Sequence, residues 1–217
     1  MRGQTVLRHS ARFAALLAFI NCIGAVTSAQ AHEILMTYVA HAIRVNIGPA
    51  NIDIDVELTF NETVSLKERK LMDRDQNGSI DRAEMASYLA ELEPILESGI
   101  QLTIGAHAVE LLMRYEPELD LLGAQTVMPE HHVLKLAFFA RISTVSAAVQ
   151  EVVLQDHLWA DAPALCSFQA AGTDGIEVQV TSPRRVLSNR QGKIDDRMVR
   201  IMSAAPTSAL PPSGTFH

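Results

Sequence analysis

Between Asp73 and Glu84 the chain reads D-R-D-Q-N-G-S-I-D-R-A-E, which sets an oxygen donor at positions 1, 3, 5, 7, 9 and 12 of a twelve-residue loop. That spacing is the one in which a short loop wraps a hard divalent cation. Asp73, Asp75 and Asn77 supply side-chain oxygens, Ser79 its backbone carbonyl, Asp81 a direct or water-mediated contact, and Glu84 both carboxylate oxygens. Gly78 stands at position 6, where the chain turns sharply with positive φ and a residue without Cβ is strained least. The carboxylates of Asp73, Asp75, Asp81 and Glu84 repel one another, so gathering them into one shell calls for a cation at its centre. A bidentate glutamate at position 12 suits a large seven-coordinate ion better than the tight octahedron of magnesium. The expected cofactor is therefore Ca2+.

Two helices must hold such a loop. Ser65 with Glu68 three residues on predicts a capping box, opening a short helix that ends at Met72. From Arg82 to about Glu97, Met85, Leu89, Leu92, Ile95 and Leu96 recur at helical spacing and predict a stripe lying on a sheet. Ser98-Gly99 stops that helix, and Pro94 is expected to kink its last turn. The whole unit, about residues 62–98, resembles an EF-hand, in which Ile80 at position 8 anchors the loop to a second, similar hand. No other stretch fits the loop pattern. Ile80 is therefore covered either by the rest of the domain or by a protein partner, including a second copy that would make a homodimer through the loop.

The remainder reads as strands. Ile43, Val45 and Ile47 alternate with polar or small residues, Gly48-Pro49-Ala50-Asn51 turns, and Ile52, Ile54, Val56, Leu58 and Phe60 alternate again. Ile100 to Ile104, Val109 to Met113, His132 to Ile142, Val149 to Gln155, Ile176 to Val180 and Met198 to Met202 predict further strands, about seven or eight in all. The expected fold class is α+β, a mainly antiparallel β-sandwich or barrel-like domain over residues 32–203 with the EF-hand helix-loop-helix inserted after the second strand. Residues 204–217, rich in proline and small hydroxyl residues, read as a disordered tail.

The start of the chain reads as a signal peptide, residues 1–31. Arg2, Arg8 and Arg12 form a positive region, Phe13 to Val26 is apolar, and Ala29-Gln30-Ala31 fits the cleavage rule. The mature chain is then expected to be periplasmic or secreted, beginning at His32 and carrying no membrane span, since Lys135 and Arg141 interrupt its longest apolar stretch. Loss of the leader moves the formal charge from −7 to −10, which repels phosphate and argues against nucleic acid as a partner. Cys22 leaves as well. Cys166 is then alone, without an intramolecular disulfide, and reads as a small buried hydrophobe.

The order of Ala31-His32, a hairpin and the acidic loop from Asp73 to Glu84 resembles the exported amino-terminal domain of some bacterial nickel/cobalt transporter-like membrane proteins of the hydrogenase and urease accessory type. The family's Pro-Leu after the histidine is Glu33-Ile34 here, and its membrane helices are absent. The resemblance covers about Ala31 to Ile104 and implies a shared exported domain.

Three functional classes follow. The first is an exported calcium-binding domain in which calcium is structural and the protein acts as a binding or interaction module. The second is a periplasmic accessory domain binding nickel, cobalt or copper through the α-amine and imidazole of a mature terminal His32, with His41, His107, His131, His132 and His157 as candidate partners. The third, a hydrolase or oxidase, has no supporting motif: His32-Glu33 does not extend to H-E-x-x-H because Met36 stands at the last position, and there is no G-x-S-x-G. The expectation is a protein that is not an enzyme. Asp156, His157 and Asp161 around Trp159, the only tryptophan, form either a ligand-facing rim or local packing.

Overall fold

The computed structural model describes residues 37–142, 149–181, 185–188 and 197–204. The leader, His32 and residues 205–217 of the tail lie outside them, and Ala204 is the last residue of a strand. The chain opens on β1 (Val39–Ile47) and β2 (Asn51–Phe60), an antiparallel hairpin registered from Val39 opposite Phe60 to Ile47 opposite Ile52. The turn closes through Gly48 N, which donates to Asn51 O at 2.8 Å. Alternation along both strands buries Ile43, Val45, Ile47, Ile52, Ile54, Val56, Leu58 and Phe60, and each such side chain contributes about 1.5–3 kcal/mol by leaving water.

Next come α1 (Glu62–Met72) and α2 (Arg82–Ser98), then β3 (Ile100–Ile104), β4 (His107–Val109), β5 (Leu112–Met113), β6 (Glu118–Asp120), β7 (His132–Arg141), β8 (Gln150–Asp156), β9 (Ala164–Gly172), β10 (Glu177–Val180), β11 (Arg185–Ser188) and β12 (Met198–Ala204). Among the described residues the strands form two sheets. One runs β11-β9-β1-β2-β7-β5, with β6 also on β7, and the other runs β10-β12-β8-β3-β4. Pairing is antiparallel throughout except between β1 and β9. The apolar faces of both sheets share one core, which includes Phe138 and Phe168 of the first and Leu102, Leu154 and Ile201 of the second, an arrangement compatible with a sandwich.

Several local expectations are corrected. The first helix begins at Glu62 behind Asn61, whose side chain donates to Tyr38 O instead of capping. Ser65 therefore lies inside α1 and is fully buried, so it opens no capping box. The capping box of this region is Asp81 with Glu84, at the start of α2. Along α2 the buried face is Met85, Tyr88, Leu89, Leu92 and Leu96, with Tyr88 replacing Ile95, which sits at the edge of the stripe and is 51 % exposed. The strand expected from Val109 to Met113 is two short strands, because β4 pairs with β3 in one sheet and β5 with β7 in the other. That split and the further strands β6, β9 and β11 bring the number among the described residues to twelve, above the seven or eight expected.

Candidate metal centre

The loop between α1 and α2 is built from its own hydrogen bonds. Asp73 accepts from Asn77 N at 3.1 Å and Gly78 N at 3.0 Å, and Asn77 Oδ1 accepts from Ser79 N at 2.7 Å. Gly78 has φ of +83°, as the sharp turn at position 6 requires. Glu84 closes the ring: one carboxylate oxygen accepts from Arg74 N at 2.8 Å and the other from Asp81 N at 2.9 Å, while Asp81 Oδ1 accepts from Glu84 N at 2.9 Å. These contacts turn the side chains inward, and one carboxylate oxygen each from Asp73, Asp75 and Glu84 lies within 4.8 Å of the others. Among the described residues no lysine or arginine side chain reaches them; Arg74 pairs instead with Glu91 outside the loop. Three carboxylates drawn together without a basic neighbour form an all-oxygen donor set fitted to a hard cation.

Ile80 is fully buried, and its cover comes from its own chain. It packs in a small second core with Met72, Tyr88 and Leu121, flanked by Met85, Leu92, Leu119 and Val127. Ser79 forms an antiparallel bridge with Thr126; Ile80 N donates to Gln125 O at 2.6 Å and Val127 N to Gly78 O at 3.0 Å. The segment after β6 therefore takes the pairing edge that a second hand would occupy. Of the two alternatives for Ile80, the structure has the one internal to the chain.

Buried side chains brace that segment. Arg69 of α1 is fully buried and donates to four carbonyls: Leu121 at 3.2 Å, Thr126 and His131 at 3.0 Å each, and Ala124. Burial lowers its pKa, against the pull of Glu130. Ser65 Oγ donates to Glu130 O, accepts from Arg69 Nε at 3.2 Å and lies 2.7 Å from His132 Nδ1. With its proton given to Glu130, the Ser65 oxygen accepts at both other contacts, so His132 carries its proton on Nδ1. The pair is a structural relay and not a nucleophile with its base. Burial, with Arg69 and His131 nearby, holds the His132 pKa down at about 3, and its ring stacks on Phe60 at 4.3 Å. Glu68 accepts from Tyr88 Oη and, at 3.1 Å, from Trp159 Nε1, so Trp159 tethers α1 to the turn after β8. Of the residues around Trp159, Asp156 and Leu158 are buried as packing and Trp159 sits edge-on to Phe60, while His157 is half-buried and Asp161 exposed.

The histidines proposed as partners of His32 do not gather. His107 is exposed on β4, His131 pairs with Glu62 at 3.0 Å, His132 is in the relay, and His157 is half-buried. His32 itself lies outside the described residues. Among the described residues a second group of donor atoms does converge, His41, Asp156 and Cys166, all buried in the main core. Sequence reasoning missed it because the three residues are far apart in the chain and none carries a motif. No helix among the described residues is long and apolar enough to cross a membrane. No protein-family model matches the chain, and no curated protein matches it either.

Proposed function

We propose that Asp73, Asp75, Asn77, Ser79, Asp81 and Glu84 bind one calcium ion, and that the ion is a structural part of an exported binding or interaction domain. The observation that carries this reading is the convergence of the Asp73, Asp75 and Glu84 oxygens, with no basic side chain among the described residues to offset them. Calcium would offset that repulsion and fix the angle between α1 and α2. Those helices in turn hold Tyr88 and Met72 against Ile80. A sensor opens an apolar groove when calcium arrives. Here the apolar face beside the loop is already closed by Leu119, Leu121 and Val127 of the same chain, which favours the structural role.

Calorimetry on the purified protein is the test. One calcium per chain is expected, and Glu84→Gln, which removes one charge and the bidentate grip, should weaken binding by about tenfold or more. No uptake at millimolar calcium, or equal binding by the variant, overturns the reading.

A further inference from the structure

A dry core usually holds hydrocarbon, yet three polar side chains from three strands meet in this one. His41 on β1 stands directly opposite Cys166 on β9 across the parallel pair, and Asp156 ends β8 in the facing sheet. All three are sealed from solvent, at 1 % exposure or less. Asp156 Oδ1 accepts from Leu158 N at 3.0 Å; its Oδ2 lies 2.7 Å from His41 Nδ1 and 3.7 Å from Cys166 Sγ. The approach to His41 is close but off the line of a hydrogen bond, and neither ring nitrogen of His41 has a hydrogen-bond partner. Nε2 of this buried imidazole faces no polar partner and Nδ1 meets only the Asp156 carboxylate, which is costly, and three apolar side chains of similar size would fill the space more favourably.

We propose that His41, Asp156 and Cys166 are the protein ligands of a buried zinc-class divalent ion. One donor atom from each lies within 4.8 Å of the other two, close enough that small side-chain movements would bring all three to bonds of about 2.0–2.3 Å from a common centre. The donor set is one imidazole nitrogen, one carboxylate oxygen and one sulfur, which a borderline ion such as Zn2+ accepts and calcium does not. Charge decides further. A thiolate and a carboxylate together carry two negative charges, so a divalent ion leaves the site neutral, as a place without water requires, whereas monovalent copper would leave it negative. On loading, the thiol proton passes to solvent as the metal–sulfur bond forms. The ion would tie β1 and β9 of one sheet to β8 of the other, entering as the chain folds or opens. This inference stands apart from the calcium reading, which concerns different residues and a different donor chemistry.

The experiment refolds the full chain in saturating calcium with one equivalent of Co2+, a coloured stand-in for zinc, and records its absorption. A thiolate-to-cobalt charge-transfer band is expected at one ion per chain and should disappear when Zn2+ is added. The band should persist in Glu84→Gln, which separates the site from the acidic loop, and in Cys22→Ser, the other thiol of the chain, and be lost in Cys166→Ser. Wild-type protein should also melt at a higher temperature in zinc than in a zinc chelator at fixed calcium, a measurement independent of whether Cys166→Ser folds. Absence of the band from natively folded wild type, its survival in Cys166→Ser, or equal melting with and without zinc overturns the proposal.

Discussion

The amide of Ile80 donates to the carbonyl of Gln125 at 2.6 Å, so the acidic loop is stitched by backbone to a segment beyond β6. Any ion that orders the loop therefore also orders the segment that covers it.

Ile80→Ala leaves a cavity among Met72, Tyr88 and Leu121. A cost of about 2–5 kcal/mol is expected, the usual range for such truncations. Urea denaturation in saturating calcium measures it, and a loss below about 0.5 kcal/mol would mean that this small core contributes little. Because the pairing edge is filled internally, sedimentation should give the same mass in calcium and in chelator.

Calcium itself should stabilise. Binding to the native state alone adds about 2.7 kcal/mol at a hundredfold excess over the dissociation constant, seen as a higher melting temperature. A hydrophobic dye should report no new apolar surface when calcium is added. Coincident melting curves with and without the ion would remove the structural role, and a strong dye signal on binding would make the protein a sensor.

Arg69→Met strips the donors from the carbonyls of Leu121, Thr126, His131 and Ala124. The Leu121 carbonyl is buried and costs about 1–3 kcal/mol when left without a partner, whereas water can replace much of what the other three part-buried carbonyls lose, so a total of about 1–3 kcal/mol is expected. Arg69→Lys should rescue little, since an ammonium cannot reproduce the planar fork. Calcium affinity should fall in both variants, because the carbonyls of Gln125 and Thr126 lie beside the loop they brace; unchanged affinity would uncouple the two.

His132 supplies a pH dependence. Its folded-state pKa of about 3 lies below the value of about 6.5 expected for an unfolded chain, so between those values the unfolded state binds the extra proton. Stability from this group is complete above about pH 6.5 and is lost as pH falls toward 3, with a slope approaching 1.4 kcal/mol per pH unit. Denaturation of wild type and His132→Gln from pH 7 to 4, in chelator, should show a shallower slope in the variant. Parallel slopes would mean that the histidine is protonated in the fold.

Two glycines should respond unequally to alanine. A Cβ at Gly172 would lie 1.9 Å from the carbonyl oxygen of Ile176, so Gly172→Ala must shift backbone and should cost about 1–3 kcal/mol or more. Gly105, at φ of +59° in open space, should lose only about 1 kcal/mol to the left-handed strain. Comparing their melting temperatures ranks the two effects.

The sequence by itself determined what depends on short range. Loop positions from Asp73 to Glu84 are set by a fixed local spacing, and the inward faces of β1, β2 and β7 follow from strict alternation. Tertiary structure alone decided what depends on partners distant in the chain. Strand β9 was missed because Ala164 to Gly172 is rich in small residues and carries no strong alternation; it becomes a strand by pairing in parallel with β1. Ser65 looks like a cap from its neighbours, yet the reach of Arg69, His132 and Glu130 draws it inside a helix. Both the cover over Ile80 and the meeting of His41, Asp156 and Cys166 arise where separate strands and loops come together, a juxtaposition that no local period encodes.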